Sequence, residues 1–192
     1  MKVLSQARRI CGYQLRILRG NYKLYLIPVC LFVYMLNELI PIRDFLFSVN
    51  EKASPFLLPF IFNDVMLTAS IFVAAMLFFI DAPFYDKYQL FVIMRGGTSE
   101  WVLGHIMYIF SVSILYMLCL TGISILIIFP NVCLSGEWGR IWTTLALTDA
   151  GEQFGLSFGV SGYLIFEYRP LEAMFLVAVS YTHLTLPTTS RV

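Results

Sequence analysis

The sequence predicts an all-α chain, a polytopic transmembrane helix bundle with an N-terminal basic amphipathic interfacial helix, and three observations predict it. Hydrophobic residues fill 59% of the 192 positions and charged residues only 13%, with a mean hydropathy of +0.78. A water-soluble fold of this composition would lack the polar surface to cover itself. Apolar runs close to the roughly 20 residues needed to cross a bilayer recur along the chain. Six basic residues (Lys2, Arg8, Arg9, Arg16, Arg19 and Lys23) precede the first of these runs without one acidic residue among them. That asymmetry holds the N-terminus in the cytoplasm and places the chain in the cell membrane as a multi-pass protein.

Residues 3 to 19 carry Val3, Ala7, Ile10, Gln14 and Ile17/Leu18 at helical spacing, with Arg8, Arg9, Arg16 and Arg19 mostly off that stripe. This is the pattern of a helix lying on the inner leaflet, its four arginines anchoring it to membrane lipid. A solvated positive tail is the plainer alternative, since Gly12 and Gly20 weaken a helix. The basic stretch is too long for a signal peptide and no small-residue cleavage site follows Ile40, so the first span, about 24–40, is expected to be retained. Pro28 should sit in its first turns.

Residues 41 to 59, with Arg43, Asp44, Asn50, Glu51 and Lys52, are expected to form a short external loop. A second span follows over about 60–80, and Asp64 is placed to cap its start, where a carboxylate accepts from free amides and suits the helix dipole. Asp81 falls at the opposite end, which the dipole disfavours; it is either functional or an interfacial residue facing water. The segment from Ala82 to Glu100 is too polar to span and too apolar for a free linker, so it is expected to pack as a short cytoplasmic helix. The break at Gly96-Gly97 then makes Thr98 the candidate N-cap of a third span, about 101–129. Residues 131 to 169 are expected outside, and Gly151, Gly155 and Gly159 form either a small-residue helix face or part of an irregular connection. A fourth apolar run begins at 171 and stops at half a span.

Residues 181–192, with the run THLTLPT, resemble translated sequencing-adaptor sequence at the end of an assembled reading frame. On that reading the tail is non-native, residues 1–180 form the transmembrane domain and the fourth span is truncated; the rival is a genuine polar C-terminus.

The four cysteines, Cys11, Cys30, Cys119 and Cys133, are scattered without metal-ligand spacing and fit as small apolar fillers. Catalytic motifs are absent from the sequence: it contains no H-E-x-x-H, no G-x-S-x-G and no phosphate-cradling glycine loop. No enzyme activity, cofactor, metal or nucleic-acid partner is expected. His105, one turn into the third span, is expected to satisfy a local hydrogen bond rather than relay protons.

With these elements placed, the chain resembles the N-terminal part of bacterial ABC-2-type permease-like membrane proteins. The resemblance rests on Asp81-Ala82-Pro83-Phe84, Tyr88-Gln89-Leu90 and the run from Ile93 through Arg95-Gly96-Gly97-Thr98 and Trp101 to Ile109. It implies an inner-membrane transport subunit that pairs with a separate nucleotide-binding ATPase, as a homo- or heterodimer. The coupling surface would be the cytoplasmic segment 81–100, with Asp81, Asp86 and Arg95 as polar contacts and Phe84, Phe91 and Met94 as apolar anchors. The alternative is a non-transporting membrane protein such as an immunity or assembly factor.

Overall fold

The computed structural model describes residues 2–80, 94, 97–133, 135–148, 150–156 and 158–185, with Lys2 and 181–185 described in their backbone alone. The fold is all-α; among the described residues no strand occurs, and a single parallel bridge joins Ala53 to Val132. In order the helices are α1 (Lys2–Arg19), α2 (Lys23–Glu38), α3 (Ile40–Val49), α4 (Leu58–Ile61), α5 (Val65–Phe79) and α6 (Thr98–Ile128). They are followed by α7 (Gly139–Leu147), α8 (Ala150–Gln153), α9 (Gly162–Glu167) and α10 (Pro170–Thr185).

The long helix α6 is the axis of the molecule. Its 31 residues run about 46 Å at 1.5 Å each, against a hydrocarbon thickness of about 30 Å. Alone among the described helices it is both long and apolar enough to cross a membrane, and only 44% of its most apolar stretch is buried inside the chain. Its hydroxyls bond within the helix: Ser111 donates to the Met107 carbonyl at 2.8 Å and Thr121 to that of Met117 at 2.9 Å. Polar side chains closed onto their own backbone carry little desolvation cost. Helix α6 begins one residue earlier than expected, because Gly97, at φ 92°, takes the N-cap position and Thr98 is its first turn.

The remaining apolar segments are shorter or more bent than expected. Helix α2 stops at Glu38 and α3 leaves at 55° to it. Pro41 explains the break: it has no N–H for a carbonyl of the preceding turn, yet is accepted in the first turn of a new helix. The sequence places residues 41–59 in a loop; the structure makes Ile40–Val49 helical, ended by Asn50 in the left-handed conformation at φ 52°. In place of a single second span over 60–80 there are two pieces, α4 and the 15-residue α5. Asp64 caps α5 as expected, accepting from the Leu67 amide at 2.8 Å. Helix α5 packs against α2 and also against α6, where the buried Tyr116 hydroxyl donates to the Ile71 carbonyl at 2.7 Å.

The connection from 131 to 169 is more ordered than an external loop, since α7, α8 and α9 lie within it. Its glycines share no helix face: Gly151 is in α8, Gly155 turns the chain at φ 69°, and the Gly159 carbonyl accepts from Asn63 Nδ2 at 2.9 Å. The irregular-connection reading holds. An aromatic plug organises this end. Fully buried Trp142 stacks on Phe60 with centroids 5.0 Å apart, and Trp138 also lies 5.0 Å from Phe60. Both indoles donate to backbone, Trp142 Nε1 to Ser54 O at 3.2 Å and Trp138 Nε1 to Tyr168 O at 2.8 Å, and the Ser54 hydroxyl donates to Trp138 O at 2.9 Å. Helix α10 continues past Ser180 to Thr185.

Candidate functional site

Helix α1 is where the structure departs most from the expectation. Its apolar stripe faces protein, because α1 lies along the N-terminal half of α6 in the most extensive pairing among the described helices. Ala7, Cys11, Gln14 and Leu18 are buried, while Val3 is 45% exposed, so the covered face is rotated toward Cys11. The two helices run in the same direction. A Cβ on Gly104 would lie 2.9 Å from Ile10 Cβ and 3.0 Å from the Ala7 carbonyl. About three turns further along α6, Leu115 borders a groove together with Leu15 and Leu18. Small residues at the crossing, Ala7, Cys11 and Gly104, let the backbones approach closely.

One polar pair is enclosed in this seam. The Gln14 side-chain amide and His105 Nδ1 lie 3.4 Å apart, a long hydrogen bond whose donor depends on the imidazole tautomer. The His105 ring lies parallel to Trp101, centroids 5.6 Å apart and planes within 2°, and 6.0 Å from Tyr108 on its other side. Gln14 is 5% exposed and its Oε1 has no hydrogen-bond partner among the described residues. His105 was expected to bond locally; its partner instead comes from another helix, 91 residues away.

On the opposite face of α1, Arg8, Arg9, Arg16 and Arg19 are all exposed and fall within an arc of about 100°. Of the expected coupling residues, Met94 is described, helical and 73% exposed. Asp81, Phe84, Asp86, Phe91 and Arg95 lie outside the described residues. The segment enters α6 at Gly97, where Glu100 folds back onto the Gly97 Cα and accepts from the Ser99 hydroxyl at 3.0 Å.

Neither Gln14 nor Gly104 stands out in the sequence as a site residue. A usable signal existed, since Ala7 and Cys11 place two small residues four apart on the stripe. The chemistry of the seam is holding rather than reacting. Among the described residues no group of three His, Cys, Asp or Glu could take a metal ion, and all four cysteines are free, Cys11 buried and Cys30 and Cys133 exposed. At the other end Tyr163 raises the Tyr168 phenol above the ordinary tyrosine range, with lesser contributions from burial and from Glu167 and Glu172. It therefore stays protonated at neutral pH and offers no base.

No protein-family model matches the chain, and neither a curated protein nor a solved structure is significantly similar to it.

Proposed function

We propose that the chain is a membrane-spanning permease subunit of an ABC-type transporter, coupled to a separate ATPase on the cytoplasmic side. Helix α6 crosses the bilayer; α2 with α3, α5 and α10 complete a polytopic bundle, and the N-terminus is cytoplasmic. Uncovered apolar faces support the membrane part of this reading. Phe110, Ile114 and Leu118 on α6 are 45 to 65% exposed, and Val73 and Met76 on α5 are 55% and 64% exposed. In water such faces would be a large unfavourable surface, whereas lipid or a second subunit covers them.

The observation that carries the coupling part is the docking of α1 on α6. A basic arm packed along the N-terminal half of the spanning helix passes movement at the cytoplasmic face into the bilayer. On the resemblance to ABC-2-type permeases, the energy source is a separate ATPase.

The test is co-purification in mild detergent with the ATPase encoded beside the gene, followed by ATP hydrolysis by the complex. A stable hydrolysing complex that Arg95→Glu dissociates supports the reading. If no ATPase associates, the coupling reading fails and an immunity or assembly factor takes its place.

A further inference from the structure

Helix α10 packs on α4 and α6, and on its α5 side it leaves an apolar slot of about 300 Å³. Among the described residues Phe62 and Phe72, set edge to face at 6.3 Å, line one side, and Ala173, Leu176 and Val177 line the other. Leu164 of α9 and Asn63 border one end, where the Asn63 amide nitrogen is bound to the Gly159 carbonyl, and Ser180 lies at the other. Among the described residues no charged side chain lines the slot.

We infer that this slot holds one acyl chain of an outer-leaflet lipid. The inference rests on the membrane reading above. The ends of two helices set its level. Asn63 directly precedes Asp64, the cap of α5, and α10 starts at Pro170, flanked by the exposed Arg169 and Glu172, so both helices enter the bilayer at this external end. From Ala173 to Ser180 the slot then runs about 10 Å along α10. That is less than the roughly 15 Å of hydrocarbon that one leaflet supplies. Its girth selects a chain. Spread over that length, the volume gives a section of about 30 Å², room for one hydrocarbon chain, whereas a helix about 10 Å across needs more than twice as much. The slot is also continuous with surfaces turned to lipid: Val73 and Met76 of α5 are 55% and 64% exposed, and Phe175 of α10 is 69% exposed. A chain seated between α5 and α10 meets protein on two sides, where a chain on an open face meets it on one, and the added dispersion contacts hold it.

The experiment is native mass spectrometry of the full chain from neutral detergent, titrated with palmitoyl lysophosphatidylcholine, palmitoyl lysophosphatidylglycerol or hexanoyl lysophosphatidylcholine. A one-to-one adduct of equal occupancy is expected with the two palmitoyl lipids, because the slot reads the chain and not the headgroup, and none with the hexanoyl lipid, whose tail is too short to fill it. Val177→Trp from α10 and Leu164→Trp from α9 each place an indole in the slot and should remove the adduct with helix content unchanged. Val73→Trp, beside Phe72 but turned to lipid, should leave it. Retention of the adduct in both filled variants overturns the site, as does equal loss from Val73→Trp. Binding of the phosphatidylglycerol form alone overturns it too, since a basic surface elsewhere would then be the holder, and equal binding of the hexanoyl lipid overturns the acyl chain as the occupant whatever the variants do. Alkaline extraction of native membranes separates this from the underlying reading. A protein that stays in the pellet yet forms no adduct lacks the chain site but remains integral, whereas release into the supernatant sinks both.

Discussion

The two ends of the molecule are held together by different means. At the aromatic plug, Trp138, Trp142, Phe60 and Ser54 combine large buried rings with indole and hydroxyl donors that all reach backbone carbonyls. At the α1–α6 seam, Ala7, Cys11 and Gly104 supply close approach with little side-chain volume, and the buried Gln14 keeps an oxygen unpartnered among the described residues. A satisfied polar network inside dense aromatic packing rigidifies, while a partly satisfied one offsets some of the stability that contact provides. The plug is therefore the fixed end and the seam the joint that can yield.

Trp142→Ala should have the largest effect on this comparison, costing about 3–5 kcal/mol by emptying the centre of the plug. Thermal unfolding in detergent should show a lower midpoint for the whole chain; an unchanged midpoint would mean that the plug is not the fixed end. Gly104→Leu should cost about 1–3 kcal/mol and act locally, because its side chain must displace Ile10 and the Ala7 backbone. Trypsin reads the difference: cleavage at Arg8, Arg9, Arg16 and Arg19 should accelerate in Gly104→Leu well below the unfolding midpoint, and not in Trp142→Ala. Equal arm cleavage in the two variants would abolish the distinction between joint and plug.

A smaller loss, about 1 kcal/mol, is expected for Asp64→Ala, which deletes the bond to the Leu67 amide at the start of α5. Asp64→Asn should recover most of it, since the amide oxygen also caps. The smallest shift belongs to Gln14→Leu, less than about 1 kcal/mol, because losing the bond to His105 is offset by losing the unpartnered Oε1. Gln14→Leu with His105→Phe should then raise the midpoint above the parent, and a clear fall would show that the polar pair stabilises the seam after all.

Some of this was legible in particular residues. Asp64 three residues before the Leu67 amide announces a cap, because an N-cap depends on local spacing alone. The apolar run from Trp101 to Phe129 announces α6, and Ala7, Gln14 and Leu18 at helical spacing announce the buried side of α1. The candidate site was less legible. Nothing next to Gln14 in the chain indicates that His105, 91 residues away, closes onto it, and Trp142 has its partners at Ser54 and Phe60. The Pro41 bend was overlooked for a different reason: a proline between an apolar run and charged residues suits a loop as well as the first turn of a helix.

The sequence by itself determined the helical class, the apolar axis of α6, the cap at Asp64 and a helix with arginines on one side and small or apolar residues on the other. These follow from periodicity and local hydrogen bonding, which act within a few turns. Only the tertiary structure decided what covers that apolar side, which bend joins α2 to α3, and which aromatic rings meet at the plug. A stripe records that it must leave water; it does not record which surface receives it. The choice of α6 over lipid is made by steric fit, where Gly104 admits the backbone of α1 and a residue with a Cβ would not.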